Sequence, residues 1–493
     1  MILNRRKFIS YVGLGIGGLS LSGCGNDLTK QDNSLPVNIK NIDELRHLKN
    51  KYSDGQLIIV SGHTKDGIGG GTFIVDSGLQ NAQDDNGSII LGLHKNIFRR
   101  IDTQQPTAEM FGAGVAPEED QSVFINKCTK IFGKCYLQGG TTYNIQYPIT
   151  AIILSTVGSG YATLNLISPT GDNKFGLSPY ADSAAVYCNG DIGVPLYGVN
   201  IENIIVYCNG LMNSSRDVGV KGFLFMRCHG FYQRNCFVYE SSSYAFWDAD
   251  ADAHVLLVQT YCSGTRDDCF AIDSHISFEQ VNCRGIVLNN CHAYRSEREL
   301  PYTVEALFHC YGGSDMQLVY KNCSGIADGQ CTAALLFARE CKNVFVSDCQ
   351  FINNFNNGNN IQGGVFFEGQ QASYDEIQFV NTTIISKYSH SVVLTTGEFG
   401  SSSSTFSFSD CVIEGSPVGV QINGSGGVFT FKNCEVAAKA SGEVVPWAYY
   451  SNGYPSTVKV IGGKASSVGD IVVAASNMGS NIFEDVTLLP ALA

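Results

Sequence analysis

The stretch CSGTRDDCFAIDSH, Cys262 to His275, sets Arg266, Asp267 and Asp268 side by side between two cysteines. Adjacent carboxylates repel, so one keeps its proton while its neighbour ionises, which is the division of labour that general acid–base catalysis needs. Upstream, FWDADADAH places Asp248, Asp250, Asp252 and His254 at alternate positions. In a strand these share one face, with Trp247 and the alanines on the other. A core cannot take three carboxylates, so this comb is expected to point outward. Downstream come His292, Tyr294, Arg295, Glu297, Arg298 and Glu299. Three chemistries suit the set. The first is an acid–base centre, with Arg266, Arg295, Arg298 and Tyr294 holding a substrate. In the second, Asp248, Asp250 and Asp252 bind calcium through oxygen ligands beside an arginine base, Arg266 or Arg295, as a lyase acting on uronic acids would use. The third is a solvated acidic face with no chemistry. Calcium is the one cofactor this pattern raises; otherwise none is expected.

What must position these residues is a repeat. From about residue 150, alternating apolar strands end in Asn or Asp followed by Cys, as in FYQRNCFV, IVLNNCHA, LVYKNCSG, VFVSDCQF, FSFSDCVI and FTFKNCEV. The marked position falls at 208, 236, 262, 291, 323, 349, 382, 411, 434 and 463, with spacings of 23 to 33 residues. Ragged spacing in this range fits the coils of a β-solenoid with loops inserted in some turns. Parallel strands joined by crossovers coil right-handedly. Residues one coil apart then stand about 4.8 Å apart on one lateral face, which would bring the 248, 267–268 and 292 segments together. The repeat also explains the 18 cysteines. Thr382 and Gly463 take the cysteine's place without a partner change, so the row reads as a buried ladder of small apolar residues and not as disulfides.

Composition agrees. Glycine is abundant at 54, charged residues make up 16%, and long apolar helical stretches are scarce, as in a turn-rich β protein. The net charge of −13 argues against nucleic acid, which needs a basic face. At the N-terminus, Arg5 and Arg6 precede a short apolar stretch, Tyr11 to Leu19, and then Leu21-Ser22-Gly23-Cys24. The apolar stretch is too short for a spanning helix. It looks like a bacterial lipoprotein leader with a twin arginine, so Cys24 is expected to carry a lipid after export by the Tat or Sec route.

Two further strings carry resemblances. SDGQLIIVSGHTKDGIGGGTFIVDSGLQNAQDDNGSII resembles, over residues 42–102, the small N-terminal module of bacteriophage tailspikes and related bacterial surface proteins. MFGAGVAPEEDQSVFINKCTKIFGKCYLQGGTTYNIQYPI resembles the entry segment of pectate-lyase-like right-handed β-helices. It keeps Phe111-Gly112-Ala113-Gly114, Asp120, Gly140 and Tyr143 but lacks the usual second glycine-aspartate. In its own residues, Asp120 reads as the N-cap of a helix, and Val123/Phe124, Lys127/Cys128 and Ile131/Phe132 form a stripe that could plug the solenoid's open end. RDDCFAI is similar to the GDDCIAI stretch of polygalacturonases, with Arg266 in place of the glycine. That resemblance implies Asp268 as general acid, Asp248 and Asp267 holding and activating a water, and His292 orienting the acid.

The expected fold is therefore all-β: a right-handed parallel β-helix (β-solenoid) with a small N-terminal module and a capping helix. Residues 1–24 are the leader, 25–37 a tether, 38–105 the module, 106–465 the β-helix and 466–493 a C-terminal cap. The expected function is that of a lipid-anchored cell-envelope protein, in the periplasm or on the outer membrane, acting on polysaccharide as a glycoside hydrolase or lyase. The alternatives are a non-catalytic polysaccharide-binding or assembly factor, and a tailspike-derived adhesion module. The tailspike resemblance implies a homotrimer.

Overall fold

The computed structural model describes residues 36–64, 67–167, 184–190, 196–209, 220–249, 256–257, 260–263, 269–273, 285–296, 304–313, 317–356, 363–368, 374–395, 404–423, 427–438, 445–450, 456–467, 472–475 and 481–490. Everything said of the structure concerns these.

The N-terminal module is a five-stranded sheet in the order Val37–Ile39, Leu57–Gly62, Gly69–Val75, Ile97–Arg100, Ile89–Leu91. Ile42 and Leu45 of the short helix Ile42–Arg46 pack with Ile58, Phe73, Ile90 and Phe98 into a separate small core. The glycine string has a specific task. The buried Arg100 guanidinium donates to the carbonyls of Gly87, Gly70 and Gly69 at 2.9, 2.7 and 3.0 Å. Gly69 has φ +68°, and a Cβ there would fall 1.8 Å from the Glu109 carbonyl oxygen, so only glycine lets the module sit against the solenoid's cap.

That cap is the helix Ser122–Phe132, ended by Gly133 in the left-handed conformation. Gln121, and not Asp120, is the N-cap residue. Asp120 still serves the helix start, because its Oδ1 accepts from the Ser122 backbone N–H at 3.0 Å and from that of Gln146 at 2.9 Å. The buried side is Ile125, Cys128 and Thr129, with Phe124 and Phe132 packed on the core. Val123 and Ile131 face water, so the plugging stripe is narrower than the expected one.

Beyond the cap, every strand pairing is parallel. One coil shows the plan. Val304–Gly313 lies on a first face, Gln317–Lys321 on a second, and Ser324–Ala327 on a third; the chain then returns in Cys331–Ser347, which pairs with the first face at its start and with the second from Val344 to Ser347. The third face is a sheet of 13 strands from Thr142–Ile145 to Thr487–Pro490. The interior is a stack of aromatic and aliphatic rows. Phe223, Phe246, Phe270 and Phe308 follow one another at 5.3, 4.9 and 4.8 Å between ring centroids.

The Asn/Asp–Cys signature is the corner between the second and third faces. Asn203, Asn235, Asn290, Asn322, Asp348, Asn381, Asp410 and Asn433 all have φ between 47° and 61°. Asn and Asp tolerate this left-handed region best among non-glycine residues, which is why the corner selects them. The residue after the corner turns its side chain inward and back. Cys236, Cys323, Cys349, Cys411 and Cys434 bring Sγ within 3.1–3.5 Å of the carbonyl oxygen two residues earlier. Thr382 does the same through Oγ1 at 3.0 Å, so Thr replaces Cys without loss of that contact.

Two of the expected ladder positions are displaced by the register. Ile205 pairs with Phe237, so Ile204 and not Cys208 is level with Cys236. Thr260 pairs with Cys291, so Thr260 and not Cys262 holds the place. The remaining positions align as expected. Fifteen cysteines are buried and free, and none among the described residues forms a disulfide. Titration of the denatured, unreduced chain should therefore find at least fifteen free thiols. Thr382→Cys should shift stability by less than about 1.5 kcal/mol, read from a denaturant midpoint; a majority of oxidised thiols would contradict the ladder.

One buried imidazole gives the fold a pH dependence. His390 is 8% exposed, and burial pushes its pKa down from 6.5 to about 4. The unfolded chain binds a proton that the folded chain refuses, so stability falls as pH drops from about 6.5 towards about 4, by ~1.4 kcal/mol per pH unit. Burial shifts His63 and His292 in the same direction. His390→Gln should flatten much of this slope in denaturation midpoints taken across the window; an unchanged slope would assign it elsewhere.

Candidate functional site

The site is built where the third face turns into the first. On the strand Cys291–Arg295, Cys291, Ala293 and Arg295 are buried while His292 and Tyr294 are half-exposed. Cys291 fills the ladder, so the alternation of the strand sends His292 and Tyr294 to the outer surface. His292 is level with Ser324 of the next coil, and its Nδ1 lies 2.7 Å from Ser324 Oγ. Burial holds the His292 pKa below its ordinary value, so the ring is neutral at neutral pH and available for proton exchange.

Tyr294 reaches the corner itself. Its hydroxyl donates to Asp328 Oδ2 at 3.0 Å, and Asn354 Nδ2 of the following coil donates to Asp328 Oδ1 at 2.7 Å. The backbone N–H groups of Asp328 and Gly329 both donate to the Arg295 carbonyl, at 2.8 and 3.2 Å. Gly329 is needed for this contact, because a Cβ there would fall 2.0 Å from the Ser296 carbonyl oxygen. Three successive coils thus fix one half-exposed carboxylate beside a phenol, with an imidazole on the same face.

The structure sorts the residues nominated from sequence. Arg295 is not at the surface: it is 1% exposed and alternates inward with Ala293. Burial also lowers its pKa. Asp248 lies on the first face in Phe246–Ala249, level with Phe225 before it and Ile272 after it. The Asp248 side chain itself, like Asp250 and Asp252 of the expected outward comb, lies outside what the structure describes. His292 is on a different face from Asp248, so strand pairing does not bring the two together. Cys24, Asp250, Asp252, Arg266, Asp267, Asp268 and Arg298 lie outside the described residues. Among the described residues no three His, Cys, Asp or Glu side chains are grouped as metal ligands.

Ser324, Asp328 and Asn354 were not singled out from sequence. A signal was present. Cys291 and Cys323 are 32 residues apart, and the same step carries His292 onto Ser324. Asp328 and Asn354 each stand five residues after a ladder cysteine, Cys323 and Cys349.

The chain is a parallel β-helix protein with a small β module at its N-terminal end. More particularly, its fold is tailspike-like. Residues 38–103 match the family model of the phage tail protein small four-stranded β-sheet domain. The gp42 tailspike of Acinetobacter phage vb_AbaP_AS12 is similar in structure at TM-score 0.53 and 12% identity, covering 92% of this chain and 74% of that one. The enzymatically active domain of tailspike protein 2 from bacteriophage CBA120 overlaps at TM-score 0.46 and 12% identity, covering 92% of this chain and 61% of that one. WceF of Pantoea stewartii, described as a glycan biofilm modifying enzyme with a tailspike-like parallel β-helix fold, overlaps at TM-score 0.36 and 14% identity, covering 93% of this chain and 52% of that one. This chain therefore spans less than two thirds of the latter two. No curated protein matches it in sequence. At these identities the likeness is one of fold.

Proposed function

We propose that this is an exported envelope protein, tethered through lipid on Cys24, that cleaves a polysaccharide on the outer surface of its solenoid. The observation that carries the reading is the three-coil clamp on Asp328, set on the same face as His292. The Arg266–Asp267–Asp268 segment lies outside the described residues and enters this reading by its sequence alone, as two adjacent carboxylates, one to keep its proton while the other ionises. Asp268 donates a proton to the leaving oxygen and Asp267 activates the water. The tailspike-like fold supports a glycan as partner, and a homotrimer as the assembly, by analogy of scaffold alone.

The burial of Arg295 removes one of the two arginines that an elimination could use as base, so hydrolysis is favoured over lysis. A second reading, binding without cleavage, draws on the fact that both Asp328 oxygens are already engaged by Tyr294 and Asn354. The test is incubation of the purified chain with bacterial and plant polysaccharides, following new reducing ends and ultraviolet absorbance of unsaturated products. Reducing ends alone support hydrolysis, and both signals together indicate elimination. Retention of polymer with neither signal supports the binding reading.

A further inference from the structure

The outer surface of the third face carries aromatic rings that the core does not need. Tyr207 is 39% exposed and lies level with half-buried Tyr239. Their rings stack at 4.8 Å and 17°. Val206 and Val238 fill the interior from the same strands. Beside the pair, Phe237 takes Tyr161 edge-on at 5.1 Å and 87°. Towards the cap the same outward row turns to amides. Asn165 is level with Tyr207 on one side and Asn144 on the other. Its Nδ2 donates to Asn144 Oδ1 at 2.7 Å, and Asn209 Nδ2 donates to Asn165 Oδ1 at 2.8 Å. The outward positions of these four strands are Thr142, Asn144, Thr163, Asn165, Ile205, Tyr207, Phe237 and Tyr239, and none is charged.

Interior stacks such as Phe246 on Phe270 are buried and stabilise the solenoid by removing ring surface from water. The Tyr207–Tyr239 stack does so only in part. Flat rings left in solvent beside amide donors and acceptors, with the exposed Glu240 next to Tyr239 at the edge, suit a partner with both an apolar face and many hydroxyls. A pyranose ring has both. The net charge of −13 opposes an anionic polymer at long range and leaves an uncharged one unaffected.

Resting on the polysaccharide reading, we propose that this strip is a subsite for an uncharged glycan laid along the solenoid axis. Pyranose faces pack on Tyr207 and Tyr239, and hydroxyls bond to the amides of Asn144, Asn165 and Asn209. Each coil advances the surface by about 4.8 Å, so an axial chain meets a new outward row at every coil. The two rows run on by register through Tyr261 to His292, and through Ser263 to Tyr294. The strip thus leads to the corner that holds Asp328.

The test measures retention of the purified chain on immobilised dextran, glucomannan and galactomannan, against polygalacturonate and alginate. The expected result is salt-insensitive binding to at least one uncharged polymer. Tyr207→Ala with Tyr239→Ala should weaken it about tenfold or more, and Tyr207→Phe should leave it within about twofold. Circular dichroism and the thermal midpoint report whether the alanine variant remains folded. If only the anionic polymers bind and the tyrosine variants bind them as well as the parent, the strip assignment is overturned while the polysaccharide reading stands. If no polymer binds, both fall.

Discussion

Asp268→Asn should lower the rate of glycan cleavage by about 10²- to 10⁴-fold, the contribution expected of a positioned general acid. The side chain keeps its shape but cannot deliver a proton to the leaving oxygen. Asp267→Asn should cost as much, because Asp268 must keep its proton for the leaving oxygen and cannot activate the water in its place. Polymer retention should stay within about threefold of the parent in both variants, since a lost proton transfer acts on the chemical step and not on uniform binding. His292→Gln offers a graded comparison. It keeps a partner for Ser324 but removes the neutral ring, and a smaller loss with a shifted pH profile is expected. Reducing-end assays at saturating polymer read all three. Full activity in Asp267→Asn and Asp268→Asn would move the chemistry to another part of the surface.

Phe308→Ala should destabilise the fold by about 3–5 kcal/mol, a large share of the ~5–15 kcal/mol that holds most domains. Phe308 is fully buried, stacks on Phe270 at 4.8 Å, and meets Tyr320 and Phe351 edge-on at 6.1 and 5.8 Å. Removing the ring therefore opens a void between coils and breaks three aromatic contacts at once. Because each coil is supported by its neighbours, the loss weakens the interfaces on both sides. The surface stack makes the contrast: Tyr207→Ala leaves no internal void and should change stability by about 0.5 kcal/mol or less. Guanidinium unfolding of both variants measures the difference, and comparable losses would mean that the outer stack is structural.

The scaffold was legible because its repeat has a local cause. An Asn or Asp that tolerates a left-handed corner, followed by a Cys or Thr that bonds back to the strand, leaves a mark in sequence at every coil. Asn322-Cys323 and Asp410-Cys411 carry that mark without ambiguity. Cys208 and Cys262 misled because they sit near the corner without forming it; Asn203-Ile204 forms the first corner instead. The site was less legible for two reasons. Whether a side chain points in or out depends on a count from the nearest fixed row, and an error of one residue reverses it. Arg295 reads from sequence as a surface residue, while the Cys291 row counts it inward. The second reason is that a lone carboxylate has no pattern of its own. Asp328 stands in IADG with nothing to distinguish it until the register brings Tyr294 and Asn354 to its two oxygens.

The most direct measurement is the molar mass of a polysaccharide during incubation with the parent chain and with the Asp267→Asn, Asp268→Asn double variant, followed by size-exclusion chromatography with light scattering. Cleavage by the Asp267–Asp268 pair predicts that the parent shortens at least one polymer, while the double variant binds that polymer and leaves its mass unchanged. Equal shortening by both proteins, or no polymer either bound or shortened by the parent, would contradict it.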